Sequence, residues 1–213
     1  MVIKIVYLLR FFGKNSKICN MNFVEDFLRV TPTGLSLTAG RILIAVPFFS
    51  DPFFHRTVIL LTDYDSESCA GLVLNKASGY SVHKLVSDIK VEDTMYVGGP
   101  VMTRAVFCIH NHDQNKSSIK LLPGIYLGYD EIFLSLIEHQ AISSLRYKFF
   151  LGYAGWSRGQ LEDEIAHKKW VIANANPELI FETPAEKIWH TAVNHLGDEY
   201  KHWLTIPENI NDN

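Results

Sequence analysis

Short apolar runs separated by turn-forming residues make up most of the chain, and this pattern predicts β-strands. Several runs are rich in β-branched residues or are bounded by glycine and proline, which supports the same interpretation. The predicted strands cover residues 40–46, 57–61, 71–75, 94–97, 105–110, 119–122, 125–127, 147–153 and 170–172. Segments 48–54 and 63–68 are predicted to be a loop and a polar turn.

Apolar residues at helical spacing predict a smaller number of helices. The first begins at Met21, a short one covers residues 81–87, and a third follows Asp130, whose side chain suits an N-cap. The last helix is predicted with Thr183 as its N-cap and Gly197 at its C-terminal end.

One further helix is predicted directly after the strand at 147–153. Ser157 and Gln160 have the spacing of a capping box, and Trp156 and Leu161 have that of a hydrophobic staple. Acidic residues at 162–164 lie near the positive end of the helix dipole. A helix start accounts for all of these residues without any functional role.

The predicted strands follow one another with helices only occasionally between them. This order predicts an α+β fold with a mixed, mainly antiparallel sheet and several packed helices, rather than a doubly wound parallel sheet. No repeat or linker interrupts residues 21–213, so they are predicted to form a single domain. Residues 1–20 are predicted to be a disordered tail or an extension from an upstream start codon, with Met21 as the natural beginning.

Bulk properties exclude some classes of partner. The chain has 213 residues and a formal net charge of −3, which argues against a strong phosphate-binding surface and makes direct nucleic-acid binding doubtful. The apolar stretch at 1–12 is broken by Lys4 and Arg10 and is too short to cross a bilayer, so no membrane association is expected. Three widely separated cysteines without a CxxC motif are typical of reduced thiols in a cytoplasmic protein.

No standard catalytic signature is present, and neither a cofactor nor a metal is predicted. His110 and His112 would share one face of a strand and could hold a metal, but no third ligand is identifiable and a strand-end loop explains them as well. Asp51, His55 and Arg56, together with Asp63, could form an acid–base set. A capped Asp-Pro turn with an ion pair at the surface is the structural alternative.

Other polar positions have both a structural and a functional interpretation. Asn75 and Lys76 close a strand, where a turn and contact with water explain them equally well. Gly98 and Gly99 could present backbone N–H groups to an anion, although a tight turn has the same requirement. Trp156 is flanked by glycines that permit close backbone approach, as at many binding sites, and packing alone is the alternative.

Four segments resemble the YqgE/AlgH family. They are Asp-Pro-Phe-Phe-His-Arg-Thr-Val at 51–58, Gly-Leu-Val-Leu-Asn-Lys at 71–76, Val-Gly-Gly-Pro-Val at 97–101 and Gly-Tyr-Ala-Gly-Trp-Ser-Arg-Gly-Gln-Leu-Glu at 152–162. Trp189 and the pair Leu196 and Gly197 agree as well, so the resemblance runs in order over most of the chain. Segment 102–105 departs from the family pattern, because it is shorter than usual and lacks a glycine before the next strand.

The resemblance implies a single α+β domain of coiled, branching β-sheet with helices packed around it. Members of this family are largely uncharacterised and often carry the description of transcriptional regulator. The sequence gives that description little support, since no helix-turn-helix is evident and the net charge is negative.

The chain is therefore predicted to be a non-enzymatic binding or regulatory domain that recognises a small ligand or a protein partner. Its site is predicted near one end of the sheet, where polar and glycine positions of the family segments fall at strand ends. The predicted site residues are Asp51, His55, Arg56, Asn75, Lys76, Gly98, Gly99, Trp156, Gln160 and Glu162. The alternative is a hydrolase that uses Asp51 or Glu162 with His55 and needs these groups within hydrogen-bond reach in a pocket.

Overall fold

The computed structural model describes residues 30–31, 33–49 and 51–207. The predictions for the helix at Met21 and for residues 1–20 lie outside the described residues. The strands are β1 (Arg41–Ala45), β2 (Val58–Tyr64), β3 (Ser68–Val73), β4 (Ala77–Ser81), β5 (Thr94–Val97), β6 (Val101–His110), β7 (Ile119–Leu122), β8 (Ile125–Leu127), β9 (Tyr147–Ser157) and β10 (Trp170–Asn174). The helices are α1 (Val82–Leu85), α2 (Glu131–Glu138), α3 (Gln160–Ala166) and α4 (Ala185–Leu196), with a π-helical segment at Glu178–Glu182 and a 3₁₀ helix at Asp198–Thr205.

The ten described strands form one sheet that branches at β9. Its main path runs β10-β1-β2-β3-β9-β6-β8-β7, with β5 beside β9 and β4 beside β5. The pairing of β5 with β9 is parallel, and the other strand pairs are antiparallel. The prediction of an α+β fold with a mixed, mainly antiparallel sheet is therefore confirmed.

Alternating side chains of the central strands build a separate core on each face of the sheet. On β1, Ile42 and Ile44 point to one face and Leu43 and Ala45 to the other, and all four are buried. The first face packs against α4, whose Trp189 indole N–H donates to the Ala45 carbonyl oxygen at 2.8 Å. A third core lies between the β5–β9–β6 part of the sheet and helices α1 and α2.

Several elements differ from their predicted bounds. Strands β2 and β3 reach into the predicted turn at 63–68, and β6 begins at Val101 rather than at residue 105. Strand β4 was not predicted, because its residues are polar and largely exposed and it pairs only with β5. Strand β9 continues to Ser157, so α3 begins at Gln160 after Gly159, whose φ is 75°. Helix α4 begins at Ala185 and receives no side-chain cap, so the predicted N-cap role of Thr183 is wrong.

The capping box and the hydrophobic staple predicted at the start of α3 are wrong, because the N-cap of the helix is Gly159 rather than Ser157 and no side chain caps it. The Gln160 Oε1 atom does accept a hydrogen bond from the Ser157 backbone N–H at 3.2 Å, which fixes the turn between β9 and α3. The Ser157 hydroxyl donates to the same oxygen at 3.3 Å instead of accepting from the helix backbone. Trp156 and Leu161 pack in one core, although they do not occupy the positions of a hydrophobic staple.

Two further properties of the described residues concern the cysteines and possible membrane-spanning helices. Cys69 and Cys108 are buried and free. No helix between residues 30 and 207 combines the length and the apolar character that crossing a bilayer requires.

Candidate functional site

The ten predicted site residues fall into two groups at opposite ends of the β2–β3 hairpin. At the beginning of β2, the Asn75 side chain binds the backbone on either side of Thr57. At the end of β2, the Tyr64 hydroxyl donates to Glu162 Oε1 at 2.6 Å. The prediction that all ten lie together near one end of the sheet is therefore wrong, and a binding role for either group stays a prediction.

Asn75 holds the beginning of β2 against the end of β3. Its Oδ1 atom accepts from the Val58 backbone N–H at 3.0 Å, and its Nδ2 atom donates to the Arg56 carbonyl oxygen at 2.8 Å. The carboxamide thus completes the strand pairing where the backbone ladder stops, which is a structural role.

Arg56 is buried, so the prediction that it forms an ion pair at the surface is wrong. Its Nη2 atom donates to the carbonyl oxygen of Ile206, and its guanidinium lies 4.8 Å from the centre of the Trp189 ring. The residue also has a φ of 49°, a strained value for a side chain with a Cβ atom. Arg56 therefore ties the C-terminal segment to the first face of the sheet.

Asp51 and Lys76 lie on either side of Phe53, in and next to the loop before β2. The Asp51 Oδ1 atom accepts from the Phe53 backbone N–H at 2.8 Å, which confirms the predicted capped turn. The Lys76 ammonium lies 4.6 Å from the centre of the Phe53 ring. Burial lowers the pKa of Lys76, and the nearby Asp51 carboxylate acts in the opposite direction. His55 is half-buried in the same loop.

Gly98 and Gly99 mark the closest approach of two backbones rather than an anion site. The Gly98 N–H already donates to the Leu151 carbonyl oxygen, and its own carbonyl oxygen accepts from Val73, both at 2.8 Å. A Cβ atom on Gly99 would lie 2.0 Å from the carbonyl carbon of Tyr153. The interpretation as an anion nest is therefore wrong for Gly98, because its donor is already used.

The second group borders a cleft of about 480 Å³ between the β2–β3 turn and the turn from β9 to α3. Four of its lining side chains carry hydroxyl groups, and we call it the hydroxyl cleft. The hydroxyl groups belong to Tyr64, Ser66, Ser68 and Ser157, with Asp65, Arg158 and Glu162 as charged neighbours. Sequence reasoning treated 63–68 as a turn and missed its part in this cleft, because only the pairing of β3 with β9 brings it to Ser157.

Charged and polar groups in the hydroxyl cleft are suited to hydrogen bonding rather than to nucleophilic chemistry. The pKa of Tyr64 is raised, mainly because its hydroxyl donates to the Glu162 carboxylate. Burial, with nearby carboxylates, raises the pKa of the Cys69 thiol to about 12, so the thiol is not ionised at neutral pH. The pKa of Asp65 is lowered because it accepts from the backbone N–H groups of Glu67 and Ser68.

Trp156 lies behind this cleft as a core residue. It is 5% exposed, and its indole N–H donates to Glu164 Oε2 at 3.0 Å. The same oxygen accepts from the Trp170 indole at 2.8 Å, so one carboxylate on α3 joins two buried indoles. Gln160 is exposed, and its side chain serves the local turn at Ser157.

A comparison with known sequences defines the relationship of the chain to other proteins. A family model described as AlgH-like matches residues 42–201. The chain belongs to the AlgH-like family. This AlgH-like chain is 35% identical over 175 residues to a UPF0301 protein of Chlorobaculum tepidum, a match that covers 81% of the chain and 94% of the relative. It is 30% identical to a UPF0301 protein of Bacteroides thetaiotaomicron over 193 residues, with 88% and 97% covered.

Solved structures show the same fold. The solution structure of the AlgH protein from Pseudomonas aeruginosa matches with a TM-score of 0.64 and 28% identity, covering 79% of this chain and 92% of that one. The crystal structure of protein DIP2367 from Corynebacterium diphtheriae matches with a TM-score of 0.69 at 20% identity, covering 83% and 95%, and supports the fold alone. Segment 102–105, which departs from the family pattern, forms a bulge in β6 with Met102 at a φ of 47°.

His110 is held in a tautomer that does not suit general-base catalysis in this AlgH-like chain. Its Nδ1 atom accepts from the His112 backbone N–H at 3.1 Å, so the neutral ring carries its proton on Nε2, which lies 2.7 Å from the Ser118 hydroxyl oxygen. The ring therefore donates to Ser118 and does not activate it. Among the described residues, no group of three or more His, Cys, Asp or Glu side chains could hold a metal ion.

We expect His110 to make folding stability depend on pH. Burial, aided by His112, lowers its pKa from 6.5 to about 4. The unfolded chain takes up a proton at His110 near pH 6.5 while the folded protein does not, so this stability is present above pH 6.5 and is lost as the pH falls towards 4. The loss is on the order of 2–3 kcal/mol, measured as the free energy of unfolding in urea across this interval.

Substitution of His110 isolates its contribution to the pH dependence of stability from that of the other titrating groups. His110→Asn keeps an acceptor for the His112 N–H and should flatten the pH dependence between 6.5 and 4, whatever its effect on absolute stability. His139→Asn, at an exposed histidine that follows α2, is the control and should keep the wild-type slope. Equal slopes in wild type and His110→Asn would contradict the prediction.

Proposed function

We propose that this AlgH-like chain is a non-enzymatic binding domain whose hydroxyl cleft takes a small polyhydroxylated ligand. The observation that carries the proposal is the convergence of four hydroxyl side chains in one cleft of about 480 Å³. A hydroxyl can both donate and accept, which matches the groups of a polyol or sugar. The Tyr64 and Ser157 hydroxyls already donate within the protein, to Glu162 and Gln160, and their oxygens can still accept from a ligand. Asp65, Arg158 and Glu162 add two negative charges and one positive charge, and a volume of this size is typical of small-molecule sites.

The groups required by the hydrolase alternative are not favourably arranged. Glu162 and His55 lie at opposite ends of the β2–β3 hairpin, and the Glu162 carboxylate already accepts from Tyr64. Asp51 uses an oxygen to cap the turn at Phe53. The Cys69 thiol next to the cleft is protonated at neutral pH and so is a poor nucleophile. These observations support binding over bond cleavage.

The proposed setting is the cytoplasm, and a regulatory role would act through the bound ligand or a protein partner rather than through DNA. The two buried free thiols are compatible with a reducing compartment. A net charge of −3 does not favour contact with a phosphate backbone. Affinity for short DNA that falls steeply with salt would support the competing description of the family as transcriptional regulators.

A thermal-shift series tests the proposal. The full chain is heated with neutral monosaccharides, polyols and sugar phosphates, and a compound at a hundredfold excess over its Kd should raise the Tm by roughly 5–10 °C. Glu162→Ala should abolish the shift with little cost in folding, because Glu162 is exposed and binds only Tyr64 among the hydrogen-bonded side chains described.

Glu178→Ala is the matched control, since Glu178 is an exposed glutamate outside the lining of the cleft. It should keep the full shift. Stabilisation that survives in Glu162→Ala, or no stabilisation by any member of the panel, would contradict the proposal.

A further inference from the structure

A second cavity, of about 310 Å³, opens on the opposite face of the sheet from the hydroxyl cleft. It lies between the end of β10, the last turn of α4 and the segment at 33–35. We call it the amide pocket, because two carboxamides line it. Its polar lining residues are Thr33, Asn174, Asn176 and His195. Its apolar floor is formed by the half-buried side chains of Leu35, Ala173 and Leu196, while Ile42, Leu179 and Ala192 behind them are each 1% exposed.

The polar lining of the amide pocket has donors and acceptors left over for a ligand. Asn174 is exposed at the end of β10 and offers both a donor and an acceptor. Asn176 Oδ1 accepts from the Leu179 N–H at 2.7 Å, which leaves its Nδ2 atom as a donor. The Thr33 hydroxyl donates to the Ile172 carbonyl oxygen at 2.8 Å, so its oxygen lone pairs can still accept.

The electrostatics of the amide pocket favour a neutral ligand. Its lining residues include no Lys, Arg, Asp or Glu. Leu196 and His195 belong to the last turn of α4, where the helix dipole is negative. An N–H or amino group is therefore favoured there, and a phosphate or carboxylate is not.

From these observations we infer that the amide pocket binds a neutral nitrogen heterocycle of the nucleobase class. The flat ring lies on this half-buried apolar floor, and its amino edge meets the Asn174 carboxamide. An Asn carboxamide pairs through two hydrogen bonds with the amino and ring-nitrogen edge of adenine. A sugar would leave the apolar floor without a partner, which distinguishes this ligand from the one proposed for the hydroxyl cleft.

Adenosine is the probe, added to the full ¹⁵N-labelled chain while amide chemical shifts are recorded. We expect saturable shifts at Ala173, Asn174, Ala192 and Leu196, with the amides of the hydroxyl cleft unchanged. Asn174→Ala should weaken binding about tenfold, as the loss of a paired carboxamide does. Adenosine monophosphate should bind no more tightly than adenosine, since no cation lines the pocket.

Asn194→Ala is the matched control, because Asn194 is an exposed asparagine on α4 outside the lining of the pocket. It should bind adenosine like the wild type. The inference is overturned if adenosine gives no saturable shift, if Asn174→Ala binds as tightly as Asn194→Ala, or if ribose alone binds as tightly as adenosine. A negative result here leaves the test of the hydroxyl cleft unaffected, since the two cavities lie on different faces.

Discussion

Gly99→Ala will lower the free energy of unfolding by roughly 4 kcal/mol or more, or will prevent folding. A Cβ atom at this position would lie 2.0 Å from the Tyr153 carbonyl carbon and 2.1 Å from the Ala154 backbone nitrogen. Because both atoms belong to the backbone of β9, neither can move aside as a flexible side chain would. Urea denaturation followed by circular dichroism measures the loss, and a soluble variant should melt about 10 °C or more below wild type.

Gly79→Ala separates this clash from the general cost of replacing a glycine. Gly79 has a φ of 81° and open space around its α-carbon, so alanine there costs only the strain of the left-handed conformation, about 1 kcal/mol. If Gly99→Ala is as stable as Gly79→Ala, the backbone of β9 can shift to make room for the added Cβ atom, and the prediction is wrong.

Glu164→Ala will destabilise the protein by about 3 kcal/mol. The substitution removes the oxygen that accepts from both Trp156 and Trp170, and it leaves two indole N–H groups buried without an acceptor. It also removes the ion pair with Lys169, whose nitrogen lies 3.4 Å from Glu164 Oε1. Unfolding in guanidinium, followed by tryptophan fluorescence, reports both the stability and the environment of the two indoles.

Two variants control for the Glu164 prediction. Glu164→Gln keeps an oxygen acceptor without the charge and should cost only about 1 kcal/mol. Glu162→Ala, at an exposed neighbour on α3, should cost less than about 1 kcal/mol. If Glu164→Gln lowers the stability as much as Glu164→Ala does, then Glu164 stabilises the protein through its charge and not through the two hydrogen bonds to the indoles.

Protonation of Glu164 provides an independent check. Burial alone raises its pKa, but the two indole donors and Lys169 together outweigh burial, so the pKa lies below 4.5. The carboxylate thus contributes stability above pH 4.5 and loses that contribution as the pH falls through the lower folded-state value. The wild-type protein should lose this contribution to the free energy of unfolding as the pH falls below 4.5, and Glu164→Gln should show no such loss.

Three of the segments that carry the family resemblance meet where the sheet branches. Segment 71–76 meets segment 97–101 through the hydrogen bond from Val73 to Gly98. Gly99 in turn lies against Tyr153 and Ala154, within segment 152–162. Gly71, Gly98, Gly99 and Gly152 are therefore needed for close packing of backbones, whereas Gly159 has open space around it. Their presence in the sequence does not by itself indicate a ligand.

Segment 102–105 lines neither the hydroxyl cleft nor the amide pocket. Its departure from the family pattern instead affects the bulge in β6, where Met102 adopts a left-handed φ of 47° that glycine tolerates more easily. Neither cavity therefore shows an effect of this departure from the family pattern.

The amino-acid sequence alone determined most of the strands and the class of fold, because alternation and apolar runs are local properties of the chain. It also located the helix behind Asp130, whose carboxylate accepts from the Phe133 N–H at 2.8 Å as an N-cap does. It missed β4, whose polar residues become a strand only through their pairing with β5.

Only the tertiary structure decided which of the singled-out residues lie together. Arg56 appeared to be a surface cation, yet Trp189 and Ile206, distant in sequence, enclose it. Glu164 looked like one of three acidic residues at a helix start, and two indoles from β9 and β10 make it a buried acceptor. Both cavities likewise arise where strands and turns far apart in sequence meet, and no local pattern encodes such long-range contacts.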